Sequence, residues 1–307
     1  MNVVITGPTG VVGMALIKKH IEQKDHILAI CHPNSQGIKH IPADPLVRII
    51  EADLSEIKDI SCTEEKYDTF YHLAWAGTTG KDRENEELQE KNVAAVLEAV
   101  RLAKRLGCKT FVGAGSQAEY GRSKERLTPQ TATNPENAYG RAKLTAGWLS
   151  RKECEKLGLG HIWVRILSVY GPYGKGNDVI SKTIDSVLKG EIAKFTPAEQ
   201  VWDFLYSEDA AEALSLLAKK GKSGKVYVLG SSKEERLKEY IMRLSQVVER
   251  REGISPKLDF GAIPYGEKQV MDLRADIGEL TADTGFEPMF SFEEGIEKTM
   301  NYILQSK

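Results

Sequence analysis

The chain has 307 residues, of which 41% are hydrophobic and 28% are charged, and its formal net charge is −2. This balance is typical of a folded protein with one sizeable core and a smaller lobe, and it excludes a disordered chain. The near-neutral charge gives no electrostatic reason to expect nucleic acid or an anionic membrane as a partner.

The sequence shows neither metal ligands nor a targeting segment. The four cysteines (Cys31, Cys62, Cys108 and Cys154) form no C-x-x-C motif and the six histidines form no ligand pair, so we expect no metal and no disulfide framework. The N-terminal apolar residues run directly into a glycine turn, and no apolar stretch reaches the ~20 residues of a membrane helix. We therefore expect a cytoplasmic protein.

Short apolar runs alternate with longer amphipathic stretches through the first half of the chain. The predicted strands lie at 3–6, 26–31, 47–51, 69–73, 110–113 and 161–166, and the predicted helices at 11–23, 83–106 and 136–157. We interpret the charged stretch 81–91 as a solvated helix face. The alternation predicts an α/β fold built on a doubly wound parallel sheet.

Beyond residue 172 this rhythm weakens. Short strand candidates and turns separate helical patterns at 177–189, 207–219, 234–250 and 291–304. We therefore predict a large domain over 1–172, which some later segments rejoin, and a mainly smaller C-terminal lobe over 173–307.

Three glycines in the segment GPTGVVG separate the first strand from the first helix. Gly7 permits a tight turn, Gly10 lets backbone N–H groups approach a pyrophosphate, and Gly13 lets helix and strand pack closely. The helix N-terminus adds partial positive charge. The turn predicts a Rossmann-type, NAD(P)-binding domain, leaving the lobe to bind substrate. The predicted cofactor contacts here are Gly7, Thr9, Gly10, Val11, Val12 and Gly13.

Later segments add further cofactor candidates. Asp53 and Leu54 follow the third strand, where a carboxylate can accept from an adenine amino group, although Asp is also common as a turn or cap residue. HLAWAG at 72–77 offers small residues near the cofactor, and we interpret its histidine as packed. The cofactor contacts predicted in that segment are Leu73, Ala74 and Ala76.

The end of the second strand bears on the choice between NAD and NADP. An Asp or Glu there would accept both ribose hydroxyls of NAD and repel a 2′-phosphate. Residues 31–35 (CHPNS) contain no carboxylate, and no arginine that would grip the phosphate. We expect either cofactor to bind, with NADP preferred.

Two Y-x-x-x-K patterns occur, Tyr120/Lys124 and Tyr139/Lys143. The first lies in a segment without helical periodicity. The second follows Asn134 and a proline, which are typical of an N-cap and a first helical residue. Residues four apart share one helix face, so we predict that Tyr139 and Lys143 act on one ligand.

These residue types suit carbonyl reduction, which needs a proton donor at the oxygen while hydride arrives at carbon. A nearby ammonium brings the tyrosine pKa down from about 10 toward neutrality. We predict that Tyr139 donates the proton, that Lys143 supports it and holds the cofactor ribose, and that Ser116 steadies the substrate oxygen. Ser116 ends the fifth strand, at the sheet edge where such folds bind ligands.

Taken together, these motifs resemble the extended short-chain dehydrogenase/reductase family, which comprises nucleotide-sugar epimerases, dehydratases and 4-ketoreductases. The resemblance runs from residue 3 to about 214 and continues more weakly to the end. It implies a nucleotide-sugar substrate. It also implies a homodimer built from the helices at 83–106 and 136–157, and Ala142, Ala146 and Leu149 form a small-residue stripe on the second of these. The matching segments are GPTGVVG, DL at 53–54, HLAWAG, Asn92, GSQAEYG at 115–121, YGRAK at 139–143, VRILSVYGP at 164–172 and DFLYSEDAAEAL at 203–214.

Three departures from that family narrow the reaction. The Asp-Glu pair of the 4,6-dehydratases is Gln117 and Ala118 here, and neither can ionise, so elimination of water is not expected. The arginine that grips the substrate diphosphate is Trp202, and a usual asparagine is Ser168. Arg274 is the candidate for the missing positive charge. The predicted substrate contacts are Trp75, Gln117, Ser168 and Arg274.

The sequence therefore predicts an NAD(P)-dependent oxidoreductase acting at C4 of a nucleotide-activated sugar by 4-keto reduction. A 4-epimerase that retains NAD is the alternative, because it uses the same residues. A non-catalytic dinucleotide sensor is the alternative of another class, but such a protein has no reason to keep Ser116, Tyr139 and Lys143 together.

Overall fold

The computed structural model describes residues 1–61, 65–174, 176 and 178–305. Cys62, one of the four cysteines, and Asn177, the first residue of a predicted helix, lie outside the described residues. The strands are β1 (Asn2–Thr6), β2 (His26–Cys31), β3 (Val47–Glu51), β4 (Thr69–His72), β5 (Thr110–Ser116), β6 (Gly160–Ile166), β7 (Ser168–Tyr170), β8 (Ile192–Phe195), β9 (Val201–Tyr206), β10 (Val226–Leu229), β11 (Glu234–Arg236) and β12 (Lys257–Phe260).

Seven of these strands form one parallel sheet in the order β10-β6-β5-β4-β1-β2-β3. The order reverses between β1 and β4, which opens a crevice at the carboxyl ends of the strands. The prediction of a doubly wound α/β fold is confirmed. The helices are α1 (Val11–Glu22), α2 (Glu86–Arg105), α3 (Ala138–Leu157), α4 (Val179–Leu188), α5 (Ser207–Lys220), α6 (Leu237–Glu252), α7 (Gly278–Thr284) and α8 (Phe292–Gln305).

Helices cover both faces of the large sheet. One core layer holds apolar residues of α1 and α5, and the other holds those of α2 and α3. A third core lies in the C-terminal lobe, around α4, α6 and α8 and the sheets β11-β9-β7 and β12-β8. Because β10 and α5 pack with the large sheet, later segments return to it; the boundary at residue 172 stays a prediction.

Two helix starts differ from the sequence prediction. Residues Gly80–Glu84 form a separate 3-10 turn, and α2 begins only after the Asn85 cap. Helix α3 is capped by Asn137, whose side chain accepts from the Gly140 N–H at 2.7 Å, so the predicted cap at Asn134 is wrong. Among the described residues, no helix is long and apolar enough to cross a membrane.

Candidate active site

The structure separates the roles of the three glycines between β1 and α1. A Cβ on Gly7, which has a φ of +70°, would lie 2.7 Å from the Ala74 nitrogen, and one on Gly13 would lie 2.2 Å from the Gly7 carbonyl oxygen. Gly10 has an ordinary φ of −82°, and its Cβ would meet no atom closer than 3.7 Å beyond its chain neighbours. The fold itself requires glycine at 7 and 13, whereas no neighbour among the described residues requires it at 10.

A cavity of about 870 Å³ lies at the carboxyl ends of the central strands, against α2. This is the topological switch point of the sheet, where a dinucleotide fits. Val11, Val12 and Gly13 form the first turn of α1, and the Leu73 N–H donates to the Thr6 carbonyl at 3.2 Å, but neither these three residues of α1 nor Leu73 line the cavity. The predicted cofactor contacts that line the cavity are Gly7, Thr9, Asp53, Leu54, Ala74 and Ala76.

The end of β2 carries more charge than residues 31–35 suggest. His32 Nε2 lies 3.3 Å from Asp53 Oδ2, so a carboxylate from the loop after β3 stands beside the residue that follows β2. Asp53 also caps the next 3-10 turn, in line with its alternative interpretation. The Ser35 hydroxyl donates to Thr9 Oγ1 at 2.9 Å. The contact between His32 and Asp53 was not predicted from the sequence, because the two residues follow different strands.

Ser116, Tyr139 and Lys143 come together at the carboxyl edge of the sheet, and all three are buried. Ser116 lies close enough to the Tyr139 phenol to affect its pKa. Lys143 Nζ lies 5.9 Å from the centre of the Tyr139 ring, one helical turn further along α3. Burial raises the pKa of Tyr139, while Ser116 and nearby Arg83 lower it.

The second tyrosine of the two patterns has different contacts. The Tyr120 hydroxyl donates to the Thr128 carbonyl at 2.7 Å, and the Arg165 guanidinium lies 4.5 Å from the centre of its ring. Its hydroxyl is therefore engaged by the backbone, which favours Tyr139 as the acid–base residue.

Lys143 is buried, and burial disfavours the charged form of its ammonium group. Its Nζ donates to the Ala114 carbonyl at 2.7 Å and lies 3.8 Å from the centre of the Trp75 ring. Burial lowers the pKa of Lys143 to about 7, against an opposing influence of Glu119. His72 nearby is packed, with a pKa of about 3 because it is buried. Lys143 is therefore a cation that titrates close to neutral pH.

Glu119 is a fully buried carboxylate that sequence analysis did not assign to the site. Its Oε1 accepts from the Ser116 N–H at 2.8 Å and from Trp163 Nε1 at 3.0 Å, and its Oε2 accepts from Arg165 Nε at 2.7 Å. Both oxygens are engaged, so Glu119 fixes the Ser116 backbone and compensates a buried arginine. These buried polar residues form the sheet-end cluster, which comprises Ser116, Glu119, Tyr139, Lys143 and Arg165.

The loop 73–85, between β4 and α2, brings two more side chains to the cluster. Trp75, a predicted substrate contact, lies edge-on to Tyr139 with the ring centres 6.1 Å apart. The guanidinium carbon of Arg83 lies 4.3 Å from the centre of the Tyr139 ring. The interpretation of 81–91 as a solvated helix face is therefore wrong for Arg83. No sequence signal distinguishes this arginine from its charged neighbours.

Comparison with known proteins identifies the family. Residues 3–230 match the model of the NAD dependent epimerase/dehydratase family. The chain belongs to this family. The match confirms the prediction of an NAD(P)-dependent enzyme of the extended short-chain dehydrogenase/reductase type.

Some relatives that align over their whole length are named as epimerases and others as dehydratases. The dTDP-glucose 4,6-dehydratase of Haemophilus influenzae is 24% identical, over 99% of this chain and 98% of the relative. The UDP-N-acetylglucosamine 4-epimerase of Methanobrevibacter ruminantium M1 superposes with a TM-score of 0.89 at 24% identity, covering 100% of this chain and 99% of that one. The UDP-glucuronic acid 4-epimerase of Bacillus cereus, solved with UDP-glucuronic acid and NAD, gives 0.83 at 20% identity, covering 100% of both chains. At these identities the structures establish the fold.

Two of the residues that depart from the pattern of the epimerase/dehydratase family contact each other. Trp202 Nε1 donates to Ser168 Oγ at 2.7 Å, and we call these two residues the lobe pair. Arg274 donates to Asp272 Oδ1 and to the Lys124 carbonyl, both at 2.6 Å. Both contacts occupy the guanidinium. The structure therefore gives no support to the prediction that Arg274 holds a substrate diphosphate.

Gln117 and Ala118 occupy the positions of the dehydratases' acidic pair. Gln117 lines a cavity of about 150 Å³ together with Arg83, and so is accessible to a bound molecule. Ala118 is buried, and its N–H donates to Ser116 Oγ at 3.2 Å. Across the described residues, no group of three His, Cys, Asp or Glu side chains could hold a metal ion.

Proposed function

We propose that this protein transfers a hydride at C4 of a nucleotide-activated sugar and that its net reaction is reduction of a 4-keto group. The observation that carries the proposal is the joint burial of Ser116, Tyr139 and Lys143, with Lys143 Nζ 5.9 Å from the centre of the Tyr139 ring. Trp75 links this cluster to the cofactor cavity, because it lines the cavity and contacts both Tyr139 and Lys143. Donor, serine and cofactor cavity thus adjoin.

When bound, the nicotinamide supplies or accepts the hydride. Ser116 holds the substrate oxygen, with its backbone fixed by Glu119. Since burial raises the pKa of Tyr139, the free protein keeps it as the phenol, which is the form that donates a proton to a ketone. Lys143, where charged, favours the phenolate left behind.

A 4-epimerase is the second candidate, favoured by the end-to-end likeness to the Methanobrevibacter 4-epimerase. The test is to incubate the enzyme with a nucleotide 4-ketosugar and NADPH or NADH, and separately with UDP-hexoses without added cofactor. Stoichiometric loss of reduced cofactor supports reduction, whereas a C4 epimer without net redox change supports epimerisation. Dinucleotide binding without either reaction would favour a sensor.

We further propose that the enzyme lacks 4,6-dehydratase activity. That reaction removes the C5 proton and protonates the leaving C6 hydroxyl, so it needs two ionisable groups. Gln117 and Ala118 cannot serve, and Glu119 is buried with both oxygens engaged. Mass analysis after incubation with NAD and dTDP-, UDP-, GDP- and CDP-hexoses should reveal no 4-keto-6-deoxy product. Efficient loss of water would contradict the assignment.

The cofactor assignment has two parts. We propose that the enzyme binds NADPH at least as well as NADH, because residues 31–35 contain no carboxylate. The solved neighbour from Bacillus cereus contains NAD, and Asp53 lies 3.3 Å from His32, so NAD is the competing choice. Fluorescence titration with both cofactors decides, and a hundredfold preference for NADH would overturn the NADP preference.

The pyrophosphate contact is tested by a matched pair of glycine variants. We expect Gly10→Ala to fold normally and to lose at least about tenfold in cofactor affinity, because its methyl group enters the path of the ligand and not the protein. Gly13→Ala should instead lower the melting temperature, because its Cβ meets the Gly7 carbonyl. Unchanged affinity in Gly10→Ala would refute the contact.

We propose a homodimer formed through α2 and α3, as the family resemblance implies. The exposed surface of α3 is not the predicted stripe, because Ala146 is fully buried in its own chain whereas Trp148 is 62% exposed. An exposed indole on this helix suits an interface. Light scattering should show a dimer at micromolar concentration and a monomer for Trp148→Glu. A monomeric wild-type protein would count against the proposal.

A further inference from the structure

Arg83 lies against the ring of the proposed acid–base residue. Its guanidinium carbon lies 4.3 Å from the centre of the Tyr139 ring, within the range of a cation–π contact. Its hydrogen bond from Nη1 to the Thr78 carbonyl, at 3.3 Å, stays within the loop 73–85. Among the described residues, Arg83 forms no ion pair with a carboxylate, so its charge is directed at the tyrosine.

Buried amides of α2 fix this loop. Gln89 Nε2 donates to the Gly77 carbonyl at 3.0 Å and to the Asp82 carbonyl at 2.9 Å, directly before Arg83. Asn92 pairs with the Ala76 backbone through two hydrogen bonds of 2.9 Å. These hydrogen bonds hold the backbone of the loop to α2, and this backbone position places Arg83 over the Tyr139 ring.

The charges around Tyr139 explain what Arg83 adds. Lys143 faces it from α3 and Arg83 from the loop, while Glu119 faces it from the turn after β5 and raises its pKa. His72 is neutral because burial holds its pKa at about 3. Lys143 titrates near pH 7, whereas a guanidinium stays charged at every working pH.

We propose that Arg83 is a positioning residue for the acid–base step, holding the Tyr139 ring and stabilising its phenolate. The inference rests on the proposed role of Tyr139. In the reduction, hydride from the reduced nicotinamide bonds to C4 as the C=O π bond breaks. The Tyr139 proton passes to that oxygen, which leaves the phenolate beneath the guanidinium and the nicotinamide oxidised.

The primary test measures the phenolate directly, in cofactor-free enzyme. Ultraviolet absorbance of tyrosinate is titrated in wild type and in Arg83→Gln, each minus its own Tyr139→Phe counterpart. We expect Arg83→Gln to raise the pKa of Tyr139 by about one, and Arg83→Lys to recover part of the change. Lys81→Gln, which removes an exposed cation from the same loop, should leave it unchanged.

Kinetics give the second readout. In Arg83→Gln, kcat should fall about tenfold at neutral pH, with its pH profile displaced in the same direction, and KM should change little. An unshifted phenolate titration, or a rise in KM alone, would overturn the proposal and make Arg83 a substrate contact. Circular dichroism checks the fold, and Arg83→Lys carries the test if Arg83→Gln does not fold. If the titration shifts while Tyr139→Phe keeps full activity, the proposed function fails and the contact stands.

Discussion

The sheet-end cluster and the lobe pair handle polar groups in opposite ways. In the cluster, the paired side chains of Glu119 and Arg165 are 0% and 7% exposed. In the lobe pair, two neutral side chains share one hydrogen bond. The ion pair beside it, between Arg274 and Asp272, adjoins strand β9, and its side chains are 28% and 19% exposed. Charges act strongly where water is excluded and weakly where it is present. The cluster is therefore suited to setting pKa values, whereas the lobe pair holds no charge that could shift one.

The largest effect is expected from Tyr139→Phe, in the sheet-end cluster. It removes the proton donor and nothing that holds the dinucleotide, so kcat should fall by about 10²–10⁴-fold with cofactor affinity little changed. Steady-state kinetics and a binding titration measure the two effects. Tyr120→Phe is the matched control and should keep most activity. A Tyr139→Phe enzyme within tenfold of wild type would remove Tyr139 from the mechanism.

Stability should show the contrast between buried and exposed charges. Glu119→Gln leaves Arg165 buried without its counter-ion, and we expect it to lower the free energy of unfolding by about 3–5 kcal/mol. Arg274→Gln breaks a partly exposed pair and should cost at most about 1 kcal/mol. Urea unfolding compares the two. Equal losses would mean that burial does not distinguish the regions.

The pH dependence of stability should report Lys143. Its pKa is about 7 in the folded protein and near 10.4 in an unfolded chain, so between these values the unfolded chain binds one proton more. The free energy of unfolding should therefore rise with pH by about 1.4 kcal/mol per pH unit between pH 7 and 10, relative to Lys143→Met. Parallel curves for the two proteins would show that Lys143 keeps an ordinary pKa.

The smallest effect is expected from the lobe pair. Trp202→Phe and Ser168→Ala each remove one neutral hydrogen bond, worth about 1 kcal/mol, or roughly fivefold in KM, with kcat nearly unchanged. Because both variants break the same bond, the double variant should resemble either single one. A large loss of kcat in either variant would place the lobe pair in the chemistry and erase the contrast with the sheet-end cluster.

Local sequence signals determined much of this protein. Short apolar runs predicted the strands of the large sheet, and apolar residues recurring at three and four predicted its helices, because both patterns depend on neighbouring residues alone. The spacing of Gly7, Gly10 and Gly13 predicted the turn between β1 and α1. The four-residue spacing predicted that Tyr139 and Lys143 share a helix face, and the structure places both beside Ser116.

Tertiary structure decided the contacts between segments far apart in the chain. Only the order of strands in the sheet brings Asp53 to His32, and only anchoring by α2 places Arg83 over Tyr139. The same holds for the burial of Glu119 and for the bond that joins the lobe pair. A local pattern records which face a side chain occupies, but not which distant side chain meets it, because that depends on how the layers pack.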